Sequence, residues 1–223
     1  MTRPGPDAGL GGTGGPLDRP YVVLPAEGRP AGPPLLLLHG TGGDEHDLLP
    51  LRGHLSPGAA VLSPRGTVLE NGMPRFFRRL AEGVFDEADL SARADELAAF
   101  VRAAGEQHGI SPSTLVAVGF SNGTNIASAL LLGHPGLLTG AVLVAAMVPY
   151  ADPPPADLTG TTVVVSNGRR DPMIDQARTA LLVHQLRERH ADVHELAHPG
   201  GHSLDAGVVA EVARLLPRLA DRG

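Results

Sequence analysis

Short apolar runs alternate with longer amphipathic segments from residue 21 onward. Several of the short runs are continuous in Leu, Val and Ile, which is typical of strands buried on both faces of a mostly parallel sheet. The predicted strands are Tyr21–Leu24, Pro34–Leu38, Ala59–Leu62, Thr114–Val118, Gly140–Ala146, Thr161–Val165 and Asp192–Leu196. This pattern predicts a sheet of about seven strands.

The amphipathic segments between these runs predict helices. The first opens with Asp86 and Asp89, which suit a first helical turn, and its apolar positions fall on one face. The predicted helices are Asp86–His108, Asn122–Leu132, Asp175–His190 and Asp205–Leu219. Strands alternating with helices indicate an α/β, mostly parallel, doubly wound sheet flanked by helices. Ligands of such folds bind at the carboxyl ends of strands, so the residues that follow each strand carry the functional argument.

Length and composition indicate one domain. The chain has 223 residues, and its 42% apolar and 19% charged residues are typical of a globular protein. Residues 1–20 are rich in Gly and Pro without apolar periodicity, so we predict a flexible tail followed by a single domain over residues 21–223. Short connections leave no room for a large cap domain. The sequence shows no membrane span and no export signal, which favours a cytoplasmic protein.

Charge and residue usage exclude several function classes. The formal net charge is −6, which argues against nucleic acid as a partner. The chain has no Cys, which excludes thiolate nucleophiles and disulfides, and its 18 basic residues are all Arg, which excludes a Schiff-base lysine. We expect no cofactor and no metal. The oligomeric state is left open, a homodimer included.

A candidate nucleophile follows the fourth predicted strand. The sequence Gly119-Phe120-Ser121-Asn122-Gly123 matches G-x-S-x-G between a buried strand and a helix of small residues. That setting is the strand–turn–helix of a nucleophile elbow, in which Ser121 would stand on a tight turn between glycines. The alternative is a Gly-rich turn with an idle serine. The context favours the nucleophile.

A Gly-rich loop follows the second predicted strand. His39-Gly40-Thr41-Gly42-Gly43 would let the backbone N–H of Thr41 approach a ligand beside that of Asn122, as an oxyanion hole requires. A plain strand-to-helix turn is the alternative. We interpret His39 as a packed, hydrogen-bonded support of this loop rather than as a base.

Two further candidates follow later strands. Asp171 lies in a turn after the sixth predicted strand, and His202 lies in a Gly-rich loop after the last. The order Ser121, Asp171, His202 is that of nucleophile, acid and base in α/β-hydrolases. Asp175 is the rival acid, which we interpret as a helix start. His194, His198 and His202 recur every fourth residue, but they span a strand and a loop and so share no helix face for a metal.

These motifs resemble those of the α/β-hydrolase superfamily, and within it the small carboxylesterase/phospholipase group. Residues Glu70–Asp86 and Gly119–Ala127 are similar to a bacterial subgroup of esterases often encoded beside hydroquinone and quinone degradation genes. Asn122 stands where better-studied esterases carry Gln. The resemblance covers nearly the whole chain after the tail, and it implies the hydrolase fold, the Ser-His-Asp triad and ester hydrolysis.

The pocket walls are the remaining candidates. Phe76 and Phe77, adjacent in a chain with only five Phe, mark the connection after the third predicted strand as a pocket wall. Equally, they could pack in the core beneath solvated arginines. Met147 follows the fifth predicted strand and could face the site or fill the core.

The sequence therefore predicts a serine esterase for small or short-chain esters, with Thr41 and Asn122 N–H groups as its oxyanion hole. Two alternatives stay open. One is a non-catalytic binding or sensor protein for quinone-like aromatics on the same scaffold, since fold alone does not establish function. The other is amide or thioester cleavage by the same triad.

Overall fold

A seven-stranded central sheet organises the protein, as predicted. The computed structural model describes residues 15–220. Its strands, in chain order, are β1 (Tyr21–Leu24), β2 (Leu35–Leu38), β3 (Val61–Pro64), β4 (Val68–Glu70), β5 (Met73–Arg75), β6 (Arg79–Ala81), β7 (Val84–Phe85), β8 (Val116–Phe120), β9 (Gly140–Val144), β10 (Thr162–Gly168) and β11 (Asp192–His198). The central sheet has the order β1-β3-β2-β8-β9-β10-β11. Only β1 pairs antiparallel, with β3, so the carboxyl ends of the other six strands lie at one edge.

Helices cover both faces of this sheet. They are α1 (Leu51–Leu55), α2 (Glu87–His108), α3 (Asn122–Gly133), α4 (Gln176–Glu188) and α5 (Ala206–Ala220). Leu36 and Leu38 of β2 pack in one cluster with α2, α3 and α4, while Leu35 and Leu37 pack in a second cluster with α1 and α5. All four leucines are fully buried. Successive side chains of β2 therefore point into two core layers, one on each face of the sheet. Because both layers are apolar, every position of the strand is apolar.

Two small hairpins occupy the connection between β3 and α2, where the sequence predicted only a loop. β4 pairs with β5, and β6 pairs with β7. The first turn is Asn71-Gly72, and both residues have positive φ (53° and 78°), as a type I′ turn requires. Strands of two or three residues are too short to show alternation, so the Asn-Gly pair was the usable signal.

The packed chain begins before residue 21. Residues 1–14, most of the predicted tail, lie outside the described residues. Leu17 packs against the larger core cluster, and the Arg19 guanidinium lies 5.3 Å from the centre of the Phe100 ring. Leu17 and Arg19, which fall within the predicted tail, are therefore packed against the domain.

No helix within residues 15–220 is both long enough and apolar enough to cross a membrane.

Phe76 and Phe77 lie in the core, so the interpretation of them as pocket walls is corrected. Their exposed fractions are 2% and 0%, and both belong to the cluster between the sheet and α2. Phe77 meets the Phe85 ring edge-on at 5.1 Å. The segment between the two hairpins lies against the core, and its two rings fill that space rather than the cleft.

We expect Phe77→Ala to lower the free energy of unfolding by about 3–5 kcal/mol, because it empties a fully buried ring volume. Urea denaturation followed by circular dichroism measures this. Leu80→Ala is the matched control, since Leu80 is 72% exposed on β6, and it should change stability by less than about 0.5 kcal/mol. A loss below about 1 kcal/mol for Phe77→Ala would contradict the core placement.

Candidate active site

Ser121 occupies a strained turn between β8 and α3. Its backbone has φ 53° and ψ −112°, a conformation that costs a residue with a Cβ about 1–3 kcal/mol. The turn is held from β9, because Val144 O accepts hydrogen bonds from Ser121 N–H (2.9 Å) and from Thr124 Oγ1 (2.7 Å). Because this turn directly follows the end of β8, Ser121 lies at the carboxyl edge of the sheet.

The two glycines of the motif are required by close packing. A Cβ on Gly119 would lie 2.7 Å from the carbonyl carbon of Gly123. A Cβ on Gly123 would overlap the carbonyl oxygen of Leu38 at the end of β2. No side chain fits at either position, so α3 can begin directly behind the serine.

Asp171 and His202 form a hydrogen-bonded pair at the same edge. His202 Nδ1 lies 2.8 Å from Asp171 Oδ2, and the Asp171 side chain is fully buried. The second carboxylate oxygen, Oδ1, accepts the backbone N–H of Met173 (2.8 Å). With both oxygens engaged, the carboxylate can hold the imidazole in one orientation. Because Nδ1 serves this bond, Nε2 is the nitrogen left to act as a base.

Asp175, the rival acid, has a different role. It is the N-cap of α4, where its side chain accepts the N–H of Ala177 (2.9 Å). The structure thus brings Asp171 to His202 and leaves Asp175 at a helix start, as the sequence interpretation has it.

Ser121, His202, Thr41 and Asn122 line one cleft of about 410 Å³ including its open mouth. Thr41 lies in the Gly-rich loop after β2, and Asn122 is the first residue of α3. N–H groups in a first helical turn have no partner within the helix, and the positive end of the helix dipole adds to their field. The backbone N–H groups of Thr41 and Asn122 are accordingly the candidate oxyanion donors.

His39 supports the Gly-rich loop and has no place in the cleft lining. The side chain is buried, its Nδ1 lies 2.6 Å from Gly40 O, and its Nε2 accepts the N–H of Gly66 (3.0 Å). Burial lowers the pKa of His39 below its usual value, despite the opposing hydrogen bond to Gly40. Both contacts suit a neutral imidazole that donates from Nδ1 and accepts at Nε2.

The cleft has an apolar wall and a charged wall. Ala145, Met147 and Ile174 form a small cluster of their own, against which Phe85 packs. Met147 therefore faces the cleft, as one of its two predicted positions had it, and Phe85 supplies the aromatic wall that was sought in Phe76 and Phe77. The charged wall holds Arg75, Arg79 and Glu82, and Arg79 pairs across the second hairpin with Phe85.

Two buried asparagines that sequence reasoning missed fix the apolar wall. Asn125 Oδ1 accepts Met147 N–H (3.2 Å), and Asn167 Oδ1 accepts Ala146 N–H (2.8 Å) while its Nδ2 donates to Ala146 O (3.0 Å). Asn167 lies at the end of β10, so its strand-end position was the available signal. Asn125 lies inside α3, where nothing in a single sequence distinguishes it.

The three histidines that are spaced by four residues do not form a common site. His194 lies beside Asp192 on β11, His198 is buried, and only His202 lines the cleft. Among residues 15–220, no group of three or more His, Asp or Glu side chains could hold a metal ion.

Together, the parallel sheet, the strained serine turn and the Asp–His pair on later strand ends define an α/β-hydrolase. Comparison with known proteins specifies the group. The chain belongs to the phospholipase/carboxylesterase family, whose model matches residues 20–217.

Bacterial hydrolases are among its similar proteins. MhqD of Bacillus subtilis (strain 168), which carries the name of a hydrolase, is 46% identical over 170 residues, 76% of this chain and 85% of MhqD. The crystal structure of a Bacillus cereus carboxylesterase is 42% identical and covers 91% of this chain and 95% of its own, with a TM-score of 0.87. A carboxylesterase from Mesorhizobium loti is 31% identical, with coverages of 89% and 94% and a TM-score of 0.83.

The strain at Ser121 gives a stability prediction that is independent of activity. We expect Ser121→Gly to be more stable than Ser121→Ala by about 1 kcal/mol, because both lose the hydroxyl and only Ala keeps the strained Cβ. Paired urea titrations measure the difference. The entropy of glycine in the unfolded chain opposes this gain by about 0.5–1 kcal/mol, so an equal or lower stability for Ser121→Gly would contradict substantial strain.

Proposed function

We propose that the protein is a serine esterase that hydrolyses small or short-chain carboxylic esters. The observation that carries the proposal is the 2.8 Å hydrogen bond from the buried Asp171 to His202, which lines the same cleft as the strained Ser121. The membership of the phospholipase/carboxylesterase family supports the same reaction class.

In this mechanism Ser121 Oγ attacks the ester carbonyl carbon while His202 Nε2 takes the hydroxyl proton. The electron pair moves to the carbonyl oxygen, and the N–H groups of Thr41 and Asn122 stabilise the resulting oxyanion. Collapse of the tetrahedral intermediate breaks the bond to the alcohol oxygen, which takes the proton from His202. Asp171 keeps Nδ1 protonated and stabilises the imidazolium throughout.

Water then completes the cycle. His202 Nε2 removes a proton from a water molecule, whose oxygen attacks the acyl carbon bound to Ser121. A second tetrahedral intermediate forms in the same oxyanion hole. Its collapse releases the carboxylic acid and returns the proton to Ser121 Oγ, so the enzyme is regenerated without a net change in its own atoms.

The charged wall of the cleft is internally paired. Arg75 lies 3.2 Å from Glu70, and Arg79 lies 2.8 Å from Glu70 and also pairs with Glu82. Because these arginines already face carboxylates, the wall offers little free positive charge to an anionic substrate. The apolar wall around Met147 and Ile174 favours an uncharged acyl group of limited length.

The alternatives from the sequence differ in chemistry. A binding protein for quinone-like aromatics would not react with a fluorophosphonate, whereas an activated serine is phosphonylated. Mass mapping of a labelled peptide that contains Ser121 favours hydrolysis, and an unlabelled protein favours binding. Amide or thioester cleavage uses the same residues, and comparison of matched ester, thioester and amide substrates separates it.

Loss of the candidate nucleophile or acid should abolish turnover. We expect Ser121→Ala to lower kcat for a p-nitrophenyl ester by several decades, and Asp171→Asn by about 10⁴, because the amide favours the wrong imidazole tautomer. Asp175→Asn is the matched control, since Asn also caps a helix, and it should keep more than about half of kcat. Reversed outcomes at the two aspartates would move the acid to Asp175.

The size of the apolar wall predicts the acyl preference. Each methylene that fits adds up to about 0.8 kcal/mol of binding, so kcat/KM should peak at acyl chains of about two to six carbons and then fall. Met147→Ala should move the peak to longer chains, while Phe77→Ala, a core change, should leave it in place. A wild-type profile that still rises at about twelve carbons would contradict the small cleft.

A further inference from the structure

Three consecutive residues, Pro74–Phe76, bond to both candidate oxyanion elements; we call them the strap. On the side of the Gly-rich loop, Pro74 O accepts the N–H of Gly42 (2.9 Å). Arg75 Nη1 donates to Thr41 Oγ1 (2.9 Å). The strap therefore bonds to the side chain of Thr41, which carries one candidate oxyanion donor, and to the backbone of the next residue, Gly42.

The third residue of the strap bonds to the other element. Phe76 N–H donates to Asn122 Oδ1 at 2.7 Å, and both residues are buried. Among the described residues, Asn122 Nδ2 has no hydrogen-bond partner. The Phe76 amide is thus the contact that orients the Asn122 side chain directly after the nucleophile.

Arg75 is anchored within the fold. The residue is 4% exposed, its Nε donates to Phe77 O (3.2 Å), and Glu70 lies within ion-pair distance at 3.2 Å. Burial lowers the pKa of Arg75 from its usual value, but an arginine remains charged at neutral pH. A buried ion pair is often no more stabilising than apolar residues of the same size, so stability alone does not account for a guanidinium here.

The rest of the strap is packed with equal closeness. The Phe76 ring lies 4.7 Å from the buried His39 ring, between ring centres. A Cβ on Gly66 would overlap the backbone carbonyl of Arg75, and Gly66 N–H is itself bonded to His39 Nε2. The strap consequently cannot shift without disturbing the end of β2.

We propose that the strap positions the oxyanion hole and that Arg75, through Thr41 Oγ1, is its positioning residue. The inference rests on the proposed function. Thr41 lies on an exposed loop outside any helix or strand, so the loop has no ladder of its own to fix the Thr41 N–H. The hydrogen bond from the Arg75 guanidinium constrains Thr41, and the Phe76–Asn122 hydrogen bond constrains the start of α3.

The consequence should appear in kcat more than in KM. Oxyanion donors act on charge that develops in the transition state, so their placement matters little for binding the neutral ester. A misplacement of about 1 Å at a catalytic centre can cost about 10²-fold in rate. Loss of the Arg75–Thr41 bond therefore lowers kcat while leaving KM nearly unchanged.

The test compares Thr41→Val, Thr41→Ser, Arg75→Met and the Thr41→Val/Arg75→Met double variant on one p-nitrophenyl ester. We expect Thr41→Val and Arg75→Met each to lower kcat by about 10–100-fold with KM within about twofold. Thr41→Ser, which keeps the hydroxyl, should stay within about threefold of wild type. The double variant should be no slower than the slower single variant, because both single variants break the same bond.

Arg78→Met is the matched control. The Arg78 side chain is 62% exposed and pairs with Asp86 and Asp89, neither of which contacts the strap, so the kcat of this variant should stay within about twofold of wild type. Affinity for a trifluoromethyl ketone, which forms a tetrahedral adduct with the serine, gives a second readout. It should fall in Thr41→Val in proportion to kcat/KM, and remain at the wild-type level in Arg78→Met.

Several outcomes would overturn the proposal. Additive losses in the double variant would mean that Thr41 and Arg75 act separately, and a raised KM with unchanged kcat would mean that the hydroxyl binds substrate. If Arg75→Met does not fold, the Thr41→Val and Thr41→Ser pair decides alone, because Thr41 is exposed. If a fluorophosphonate labels Ser121 of the wild-type protein but Thr41→Val keeps the wild-type kcat, the positioning role of the strap is wrong and the esterase proposal stands. If the wild-type protein is not labelled, both proposals are wrong.

Discussion

The strained backbone at Ser121 is the constraint on which the rest of the site depends. A positive φ at a residue with a Cβ persists only where its surroundings fix it. Here Val144 O accepts a hydrogen bond from the turn, and the absence of a Cβ on Gly119 and Gly123 lets the strand, the turn and the end of β2 pack closely. Relaxation of this turn would withdraw the hydroxyl from the cleft and tilt α3, and with α3 the Asn122 N–H.

The parallel sheet converts this local turn into a site. Because β2, β8, β10 and β11 all end at one edge, residues far apart in sequence meet there: Thr41, Ser121 and His202 line the cleft, and Asp171 bonds to His202 behind it. Each candidate residue lies in the loop after a different strand. The sheet therefore determines how these loops are spaced, and the loops carry the functional side chains. The strap adds a connection between two of these ends that the sheet itself does not make.

The candidate residues and the central sheet were predictable from sequence for a physical reason. Buried parallel strands are continuous apolar runs, and a serine flanked by glycines at a strand end has few structural uses. Phe76 and Phe77 show the limit. Adjacent aromatic residues in a connection fit a pocket wall or a core equally well, and only the two hairpins that flank them settle the direction of their rings. The Arg75–Thr41 bond was equally hidden, since 34 positions separate its partners.

The most direct test of this account is a crystal structure of the protein after reaction with a phosphonate ester. We predict phosphorus bonded to Ser121 Oγ, with the phosphoryl oxygen within about 2.7–3.1 Å of the backbone nitrogens of Thr41 and Asn122. His202 should keep its bond to Asp171 and present Nε2 to the serine oxygen. An adduct on another residue, or a phosphoryl oxygen turned away from both N–H groups, would contradict the account.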